Sequence, residues 1–291
     1  MKRILITGAN SYIGVSVEKW LLGKPNKYQI DTLDMKDTNW KEHDFSHYDV
    51  IFHVAGIAHA DIGNVSKETK EMYYKVNTEL AIETARKAKK NGVKQFIFMS
   101  SMIVYGGQEY ITRETIPQPS NFYGDSKWKA DCGVQKLADD NFHVVVLRPP
   151  MIYGKDSKGN YPVLAKIAKR LLLFPKVNNK RSVLYIENLC KFVELMINNE
   201  ETGVFFPQND RLVNTSELVQ GIAEVYGRTL WVSKSLTPIV WIGKHMPGKI
   251  GKMCNKAFGN SWYDLQMSVY DDEYRIYNLK ESLERTERGR K

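Results

Sequence analysis

Short apolar runs alternate with longer amphipathic stretches through the first half of the chain. The apolar runs predict strands at 3–7, 28–34, 49–55, 95–100 and 143–148. The stretches between them predict helices at 13–22, 75–91 and 123–139, the second ended by Gly92. Buried strands that alternate with helices are typical of a parallel sheet covered on both faces. We therefore predict an α/β fold with a doubly wound parallel sheet.

The pattern changes at Pro149 and predicts a second, smaller unit. Beyond it we predict helices at 161–174 and 187–198 and an extended piece at 183–186. The division we expect is a nucleotide-binding domain over 1–150, to which 183–200 returns, and a mostly C-terminal substrate-binding α/β domain formed by 151–182 and 201–291.

The segment 236–258 mixes Trp241, Ile242 and Met246 with several lysines. Because Pro238 and Pro247 interrupt its helical period, we interpret it first as a covering element of the second domain. Peripheral contact with an anionic membrane is the alternative, since basic amphipathic segments bind such surfaces.

Composition excludes several classes of protein. The net charge of +9 is spread along the chain and no nucleic-acid-binding motif occurs, so we expect no nucleic-acid partner. Neither an 18-residue apolar run nor a signal-peptide core is present. Three scattered cysteines argue against a disulfide framework and a metal site. A cytoplasmic location is the simplest expectation.

Tyr123 and Lys127 are the most informative pair of residues. In a helix, positions four apart share one face, so the phenol and the ammonium would act together. A neighbouring cation lowers the pKa of a phenol, which would let Tyr123 exchange a proton near neutral pH. Ser100 and Ser101 end a predicted strand upstream and would meet this pair.

Gly8 and Gly14 bracket the turn from the first strand into the first helix. A Rossmann unit binds a pyrophosphate at this position, against backbone N–H groups of the helix N-terminus. Asp34 ends the second strand, where a carboxylate binds a ribose diol. This acid favours NAD over NADP, although nearby Lys36 leaves NADP open.

In combination these motifs resemble the extended short-chain dehydrogenase/reductase family, in its nucleotide-sugar epimerase, dehydratase and reductase branch. The resemblance covers nearly the whole chain. The motifs are Thr7-Gly-Ala-Asn-Ser-Tyr-Ile-Gly14, Asp44-Phe45, His53-Val-Ala-Gly56, Ser100-Ser101-Met-Ile-Val-Tyr-Gly106, Tyr123-x-x-x-Lys127 and Arg148-Pro-Pro. The resemblance implies a homodimer as well as a cofactor, NAD(P)H, and a UDP-sugar substrate.

The resemblance also implies a role for each matching residue. The catalytic residues would be Ser101, Tyr123 and Lys127. Cofactor-binding residues would be Gly8, Asn10, Ser11, Tyr12, Ile13, Gly14, Asp34, Asp44, Phe45, Val54, Ala55, Gly56, Asn77, Ser100, Tyr123, Lys127 and Pro149. Substrate-binding residues would be His59, Ser101, Met102, Tyr123, Met151 and Arg181, the last reading the diphosphate.

Three departures from the family pattern matter. Ser11 stands where the family has its middle glycine, and the stretch 34–49 leaves little room for the usual helix. Met102-Ile103 replaces the acidic pair that sugar dehydratases need to expel a hydroxyl. We therefore exclude a 4,6-dehydratase.

Two enzymatic interpretations and one non-enzymatic one remain. The first is NAD(P)H-dependent reduction of the 4-keto group of a UDP-linked 6-deoxy (N-acetyl)hexosulose, forming for example UDP-N-acetylfucosamine or UDP-N-acetylquinovosamine for surface polysaccharide. The C-terminal stretches 258–264 and 282–287 resemble bacterial reductases of that kind, and Met151 stands where family epimerases place an asparagine. The second is a UDP-hexose 4-epimerase, and the third a non-catalytic cofactor-binding protein.

Overall fold

The computed structural model describes residues 1–36, 38–58, 65–270 and 273–289. The strands are β1 Lys2–Thr7, β2 Tyr28–Leu33, β3 Val50–His53, β4 Gln95–Met99, β5 Tyr110–Ile111, β6 His143–Leu147, β7 Met151–Tyr153, β8 Leu173–Pro175, β9 Val183–Tyr185, β10 Gly203–Phe205, β11 Trp231–Ser233 and β12 Trp262–Tyr263. The α-helices are α1 Tyr12–Leu22, α2 Lys67–Tyr74, α3 Leu80–Lys90, α4 Phe122–Gln135, α5 Asn160–Arg170, α6 Ile186–Asn198, α7 Thr215–Val225, α8 Thr237–His245, α9 Gly248–Phe258 and α10 Leu279–Arg288. No helix in these ranges is long and apolar enough to cross a membrane.

Six strands form one parallel sheet in the order β10-β6-β4-β3-β1-β2. From β1 the chain runs outward to β2 and then returns to the other side of β1 as β3. Ligands of open α/β sheets bind at the carboxyl ends of the strands where this reversal occurs. The predicted Rossmann-type, doubly wound fold is confirmed, and the site is expected between β1 and β3.

Both faces of the sheet are covered, because successive residues of a strand point to opposite sides. Ile4 belongs to the core shared with α1 and α6, and Leu5 to the core shared with α3 and α4. Both side chains are fully buried. The continuous apolar runs of the central strands thus follow from two buried faces.

Three predicted helices differ from those observed. The helix expected at 75–91 extends back to Lys67 and contains a five-residue π-helical turn, Lys75–Glu79. Gly92 follows it with φ +78°, as predicted. The helix expected at 123–139 ends at Gln135. The helix expected at 161–174 ends at Arg170 because the next residues pair with β11, far along the chain.

The remaining elements form small layers beside the main sheet. Three two-stranded pairs join β7 to β9, β8 to β11 and β5 to β12. In the stretch 183–200, helix α6 packs beside α1 against the main sheet, whereas β9 pairs with β7 outside it. Strand β10 also joins the main sheet, although it lies in the stretch expected to belong to the second domain. Between β2 and β3 the described residues form only a single 3-10 turn, Thr38–Lys41, in keeping with the short spacing.

Candidate active site

The turn after β1 is shaped by residues with positive φ. Gly8 has φ +107° and Asn10 has φ +66°. A Cβ on Gly8 would lie 2.6 Å from the backbone nitrogen of Ala55, in the segment that follows β3. Val54 and Ala55 both donate to the Thr7 carbonyl, at 2.9 and 3.0 Å. The two loops that flank the switch point are therefore in backbone contact, and glycine is required at position 8.

Ser11 is the N-cap of α1. Its hydroxyl accepts a hydrogen bond from the Gly14 N–H at 3.1 Å, which compensates one of the unpaired donors of the first turn. Tyr12 and Ile13 begin the helix and are half-buried. The serine that replaces the family's middle glycine thus has a structural use, with its hydroxyl directed along the helix start.

The two predicted acidic positions, Asp34 and Asp44, both have exposed side chains, whereas Phe45 next to Asp44 does not. Asp34 is exposed next to the turn, and its carboxylate accepts from the Lys36 N–H at 3.0 Å. Asp44 is also exposed and accepts from Ser46, whose hydrogen bonds lower the pKa of the carboxyl. The Phe45 side chain is fully buried in the core. Only the Asp44 side chain of this pair can face a ligand.

Asn77 joins the loop after β3 to α4. Its Oδ1 accepts from the Ile57 N–H at 2.7 Å, and its Nδ2 donates to the Ile57 carbonyl and to Ser126 Oγ, each at 3.1 Å. A Cβ on Gly56 would lie 3.1 Å from both Asn77 Oδ1 and Lys127 Nζ. The π-helical turn that positions Asn77 has no sequence signature, and such turns occur often at functional sites.

Ser101 and Tyr123 lie at the same edge of the sheet, each at the start of a helical segment. Ser101 is itself the cap of one segment, and Asn121 caps the other. Ser101 follows β4 and accepts from the Ile103 N–H at 3.2 Å, which opens a 3-10 turn over Met102–Tyr105. Tyr123 lies in the first turn of α4, capped by Asn121 Oδ1 at 2.9 Å from the Gly124 N–H. A Cβ on Gly124 would lie 2.9 Å from the Ile103 carbonyl, so this turn and α4 are in close contact.

Lys127 is buried beneath these residues. Its ammonium donates to the Met99 carbonyl at 3.0 Å and lies 5.1 Å from the centre of the Phe98 ring. Burial lowers the pKa of Lys127 to about 8, opposed by the charge of Asp131. The ammonium is therefore held at the carboxyl end of β4, and this strand ends two residues before Ser101.

The predicted effect of Lys127 on Tyr123 is wrong in this structure. Burial and, to a lesser extent, the nearby Tyr73 phenol together raise the pKa of the Tyr123 phenol to about 12. The two rings meet edge to face with centres 5.9 Å apart. A phenol among aromatic rings loses hydration of its charged form, while the Lys127 ammonium is directed at Met99. Tyr123 is thus protonated at neutral pH.

A buried ion pair supports the site and was missed from the sequence. Asp131 accepts two hydrogen bonds from Arg148, at 2.8 and 3.0 Å, and a third from Ser100 Oγ at 2.9 Å. Arg148 also donates to the Tyr105 hydroxyl at 2.7 Å. The only available signal was that Asp131 follows Lys127 by four residues. The Ser100 side chain is committed to this network, so a cofactor contact would use its backbone.

The segment around Pro149 connects the network to the 3-10 turn that follows Ser101 and to β7. Pro149 is buried and its carbonyl accepts from the Met102 N–H at 2.9 Å. Met102 receives a hydrogen bond from Ser261 at 3.2 Å. Met151 is half-buried in β7, opposite Val183 of β9. His59, expected on the substrate side, lies outside the described residues.

Arg181 is a half-buried cation bound to carbonyl groups. Its guanidinium donates to the carbonyls of Lys256 and Gly259, at 2.8 and 3.4 Å, where α9 ends. Burial lowers the pKa of Arg181. Since the carbonyls carry no full negative charge, the guanidinium can still bind an anionic ligand.

The residues fit a dinucleotide on several counts. Gly8 and Gly56 stand where a side chain would strike backbone or the Lys127 ammonium. The N-terminus of α1 opens between the two loops, and the exposed carboxylate of Asp34 stands beside it. These are the features of a pyrophosphate and ribose site at a switch point.

Residues 4–206 match the model of the NAD dependent epimerase/dehydratase family. The chain belongs to this family. The UDP-glucose 4-epimerase of Vibrio cholerae is 27% identical over 277 residues, 86% of this chain and 83% of the relative. The N-acetyl-alpha-D-glucosaminyl-diphospho-ditrans,octacis-undecaprenol 4-epimerase of Escherichia coli O157:H7 is 23% identical over 278 residues, 89% of this chain and 82% of the relative.

Solved structures share the fold over the whole chain. The dTDP-4-dehydrorhamnose reductase of Bacillus anthracis, in complex with NADP, superposes with a TM-score of 0.72 at 19% identity and covers 98% of both chains. The chain therefore shares one architecture with epimerases and with a reductase.

Proposed function

We propose that the protein reduces the 4-keto group of a UDP-linked 6-deoxy (N-acetyl)hexosulose with NAD(P)H, forming a sugar such as UDP-N-acetylfucosamine or UDP-N-acetylquinovosamine. The observation that carries the proposal is the arrangement of three side chains, with Ser101 directly after β4, Tyr123 in the first turn of α4 and the buried Lys127 ammonium on the Met99 carbonyl. Reduction of a ketone needs a proton donor at its oxygen, and a protonated phenol is one.

The bound cofactor would supply a hydride. Ser101 accepts from the Ile103 N–H, which leaves its own O–H free to orient the C4 oxygen of the substrate. The Tyr123 hydroxyl then transfers its proton to that oxygen. Lys127 lies one helical turn away, and its buried ammonium, which donates to the Met99 carbonyl, would bind the nicotinamide ribose of the cofactor.

Other residues of the site support the proposed substrate class. Arg181 would bind the diphosphate, because a guanidinium presents parallel donors to two oxygens. Met102 and Ile103 offer no acid or base after Ser101, so this site favours reduction over elimination of water. The choice between NADH and NADPH rests on Asp34, whose carboxylate would repel a 2′-phosphate.

A 4-epimerase is the second candidate, since two relatives matched over most of their length are named as 4-epimerases. That reaction begins with removal of a proton from the C4 hydroxyl, so Tyr123 would act first as a base. Met151, half-buried in β7, stands where family epimerases place an asparagine, and this favours the reductase.

The test is product analysis by NMR with two kinds of substrate. The protein is incubated with a UDP-4-keto-6-deoxy-N-acetylhexosamine and NADH or NADPH, and separately with UDP-glucose or UDP-N-acetylglucosamine without added cofactor. The proposal predicts reduction only in the first reaction, at an unchanged rate in Tyr226→Phe, a variant remote from the site. Epimerised sugar in the second reaction alone would establish the epimerase. Dinucleotide binding with no product in either would indicate the non-catalytic protein.

A further inference from the structure

Helices α8 and α9 form a tightly packed hairpin. Gly243 of α8 and Gly251 of α9 lie at their contact. A Cβ on Gly243 would come within 2.7 Å of the Cys254 sulfur, and one on Gly251 would overlap the Met246 carbonyl. The two prolines that interrupt the sequence pattern, Pro238 and Pro247, lie at or just before the starts of the two helices, where proline is tolerated.

The outward side of this hairpin is apolar, which is unusual. In α8 the inward positions are Val240 and Gly243, while Ile239, Trp241 and Ile242 are 64%, 63% and 56% exposed. A surface helix normally carries its apolar residues on the buried face alone. We use the term hairpin face for the exposed apolar residues of both helices. They are Ile239, Trp241, Ile242, Met246, Ile250 and Met253.

The two-stranded sheet of β8 and β11, next to the start of α8, also exposes apolar side chains. The Trp231 N–H donates to the Leu172 carbonyl at 2.9 Å, and these two side chains are 70% and 67% exposed. Thr237 at the start of α8 donates to the Lys176 carbonyl at 2.8 Å. Two exposed tryptophans and a set of aliphatic side chains thus share one subregion, more than scattered exposure explains.

The chain segments that build this subregion contain no acidic residue. From 225 to 263 there are six lysines and arginines, and from 157 to 186 there are seven, with no Asp or Glu in either stretch. The rest of the chain carries all 33 acids. An apolar, tryptophan-bearing surface set in basic segments complements an anionic bilayer. It does not complement a second copy of itself, because like charges repel.

We propose that the hairpin face docks the protein on anionic lipid bilayers. Its aliphatic side chains would enter the interfacial region, its tryptophans would lie at headgroup level, and the surrounding lysines would contact acidic headgroups. The Arg181 guanidinium, which donates to the Lys256 carbonyl of α9, is bound to the same hairpin. Docking therefore holds the substrate side of the site near the bilayer. The placement of the substrate side rests on the proposed role of Arg181, whereas docking by the hairpin face does not depend on the reaction that the site catalyses.

Vesicle co-sedimentation of the full chain tests the proposal. Vesicles of phosphatidylcholine alone are compared with vesicles that also contain phosphatidylglycerol, over a series of salt concentrations. We expect binding to the anionic vesicles at low salt and its loss at high salt. The double substitution Trp241→Ser with Ile242→Ser should reduce the partition coefficient at least about tenfold, and Lys244→Gln about fivefold.

The matched control is Leu22→Ser, which removes an exposed apolar side chain at the end of α1. It should bind vesicles as the wild-type protein does, and circular dichroism should show every variant folded. Absence of sedimentation at low salt would overturn the proposal, as would equal, salt-independent binding to phosphatidylcholine. A dimer that dissociates in the double variant, without vesicle binding, would assign the hairpin face to a second copy.

Discussion

The central sheet and the α8–α9 hairpin use similar apolar residues in opposite ways. In the sheet, Ile4 and Leu5 point to opposite faces and both are fully buried. In the hairpin, Trp241 and Ile242 are more than half exposed while their neighbour Val240 is buried. Burial on both faces is what holds the site's loops in place, whereas an uncovered apolar face is available to a partner. An apolar pattern alone predicts an element but not what covers it.

The two regions should differ most in how much a cationic side chain contributes to the free energy of unfolding. Arg148→Met leaves the Asp131 carboxylate buried without its partner, and removal of one member of a buried pair typically costs about 3–5 kcal/mol. We expect a loss of that size in the free energy of unfolding, measured in urea. Lys244→Met, on the hairpin, should change it by less than about 0.5 kcal/mol. Equal effects of both substitutions would contradict the comparison.

The same contrast applies to isoleucine. Ile97 of β4 is fully buried, and Ile97→Ala should lower the free energy of unfolding by about 2–5 kcal/mol through lost burial and a cavity. Ile242→Ala, at 56% exposure, should change it by less than about 0.5 kcal/mol. Paired thermal melts of the two variants measure this. A large loss in Ile242→Ala would mean that the hairpin face is packed in the free protein.

Acid should destabilise the sheet through His53. Its Nδ1 lies 2.7 Å from Thr7 Oγ1, and burial, followed by the charge of Lys127, lowers its pKa to about 3 from 6.5. Because the unfolded state takes up a proton below pH 6.5 and the folded state does not, stability falls as the pH drops from 6.5 towards 3. The His53 contribution is at most about 1.4 kcal/mol per pH unit.

His53→Gln should flatten the dependence of the unfolding free energy on pH in this window. The control is His245→Gln on the exposed hairpin, which should leave it as in the wild-type protein. An unchanged slope in His53→Gln would show that other groups cause the acid sensitivity.

Lys127 should have opposite effects on stability and activity. Its pKa is lowered from 10.5 to about 8, so the unfolded state binds a proton between these values that the folded state lacks, and stability rises with pH across that window. Below pH 8 the charge is buried at a cost. We expect Lys127→Met to raise the free energy of unfolding at pH 7 by about 1–3 kcal/mol, measured in urea. The same variant should lose turnover. A variant that is less stable at pH 7 would show that the hydrogen bond to Met99 outweighs the buried charge.

The sequence predicted what depends on local pattern. The strands of the sheet follow from apolar runs, and the turn at Gly8 and the positions of Ser101, Tyr123 and Lys127 follow from short motifs. The pairing of β8 with β11 joins residues about 58 apart and shortened a predicted helix. The sign of the Tyr123 pKa shift depends on burial and on Tyr73, 50 residues away. The role of Asp131 in α4 depends on its hydrogen bonds with Ser100 and Arg148, which follow β4 and β6. No local sequence pattern shows these contacts.

Proton donation by the Tyr123 phenol during reduction can be measured through the single-turnover rate of NAD(P)H oxidation with the UDP-4-keto-6-deoxy sugar, followed by nicotinamide absorbance. We predict that Tyr123→Phe lowers this rate by about 10²–10⁴-fold while dinucleotide affinity is retained and Tyr226→Phe is unaffected. Oxidation at the wild-type rate in Tyr123→Phe would contradict the account.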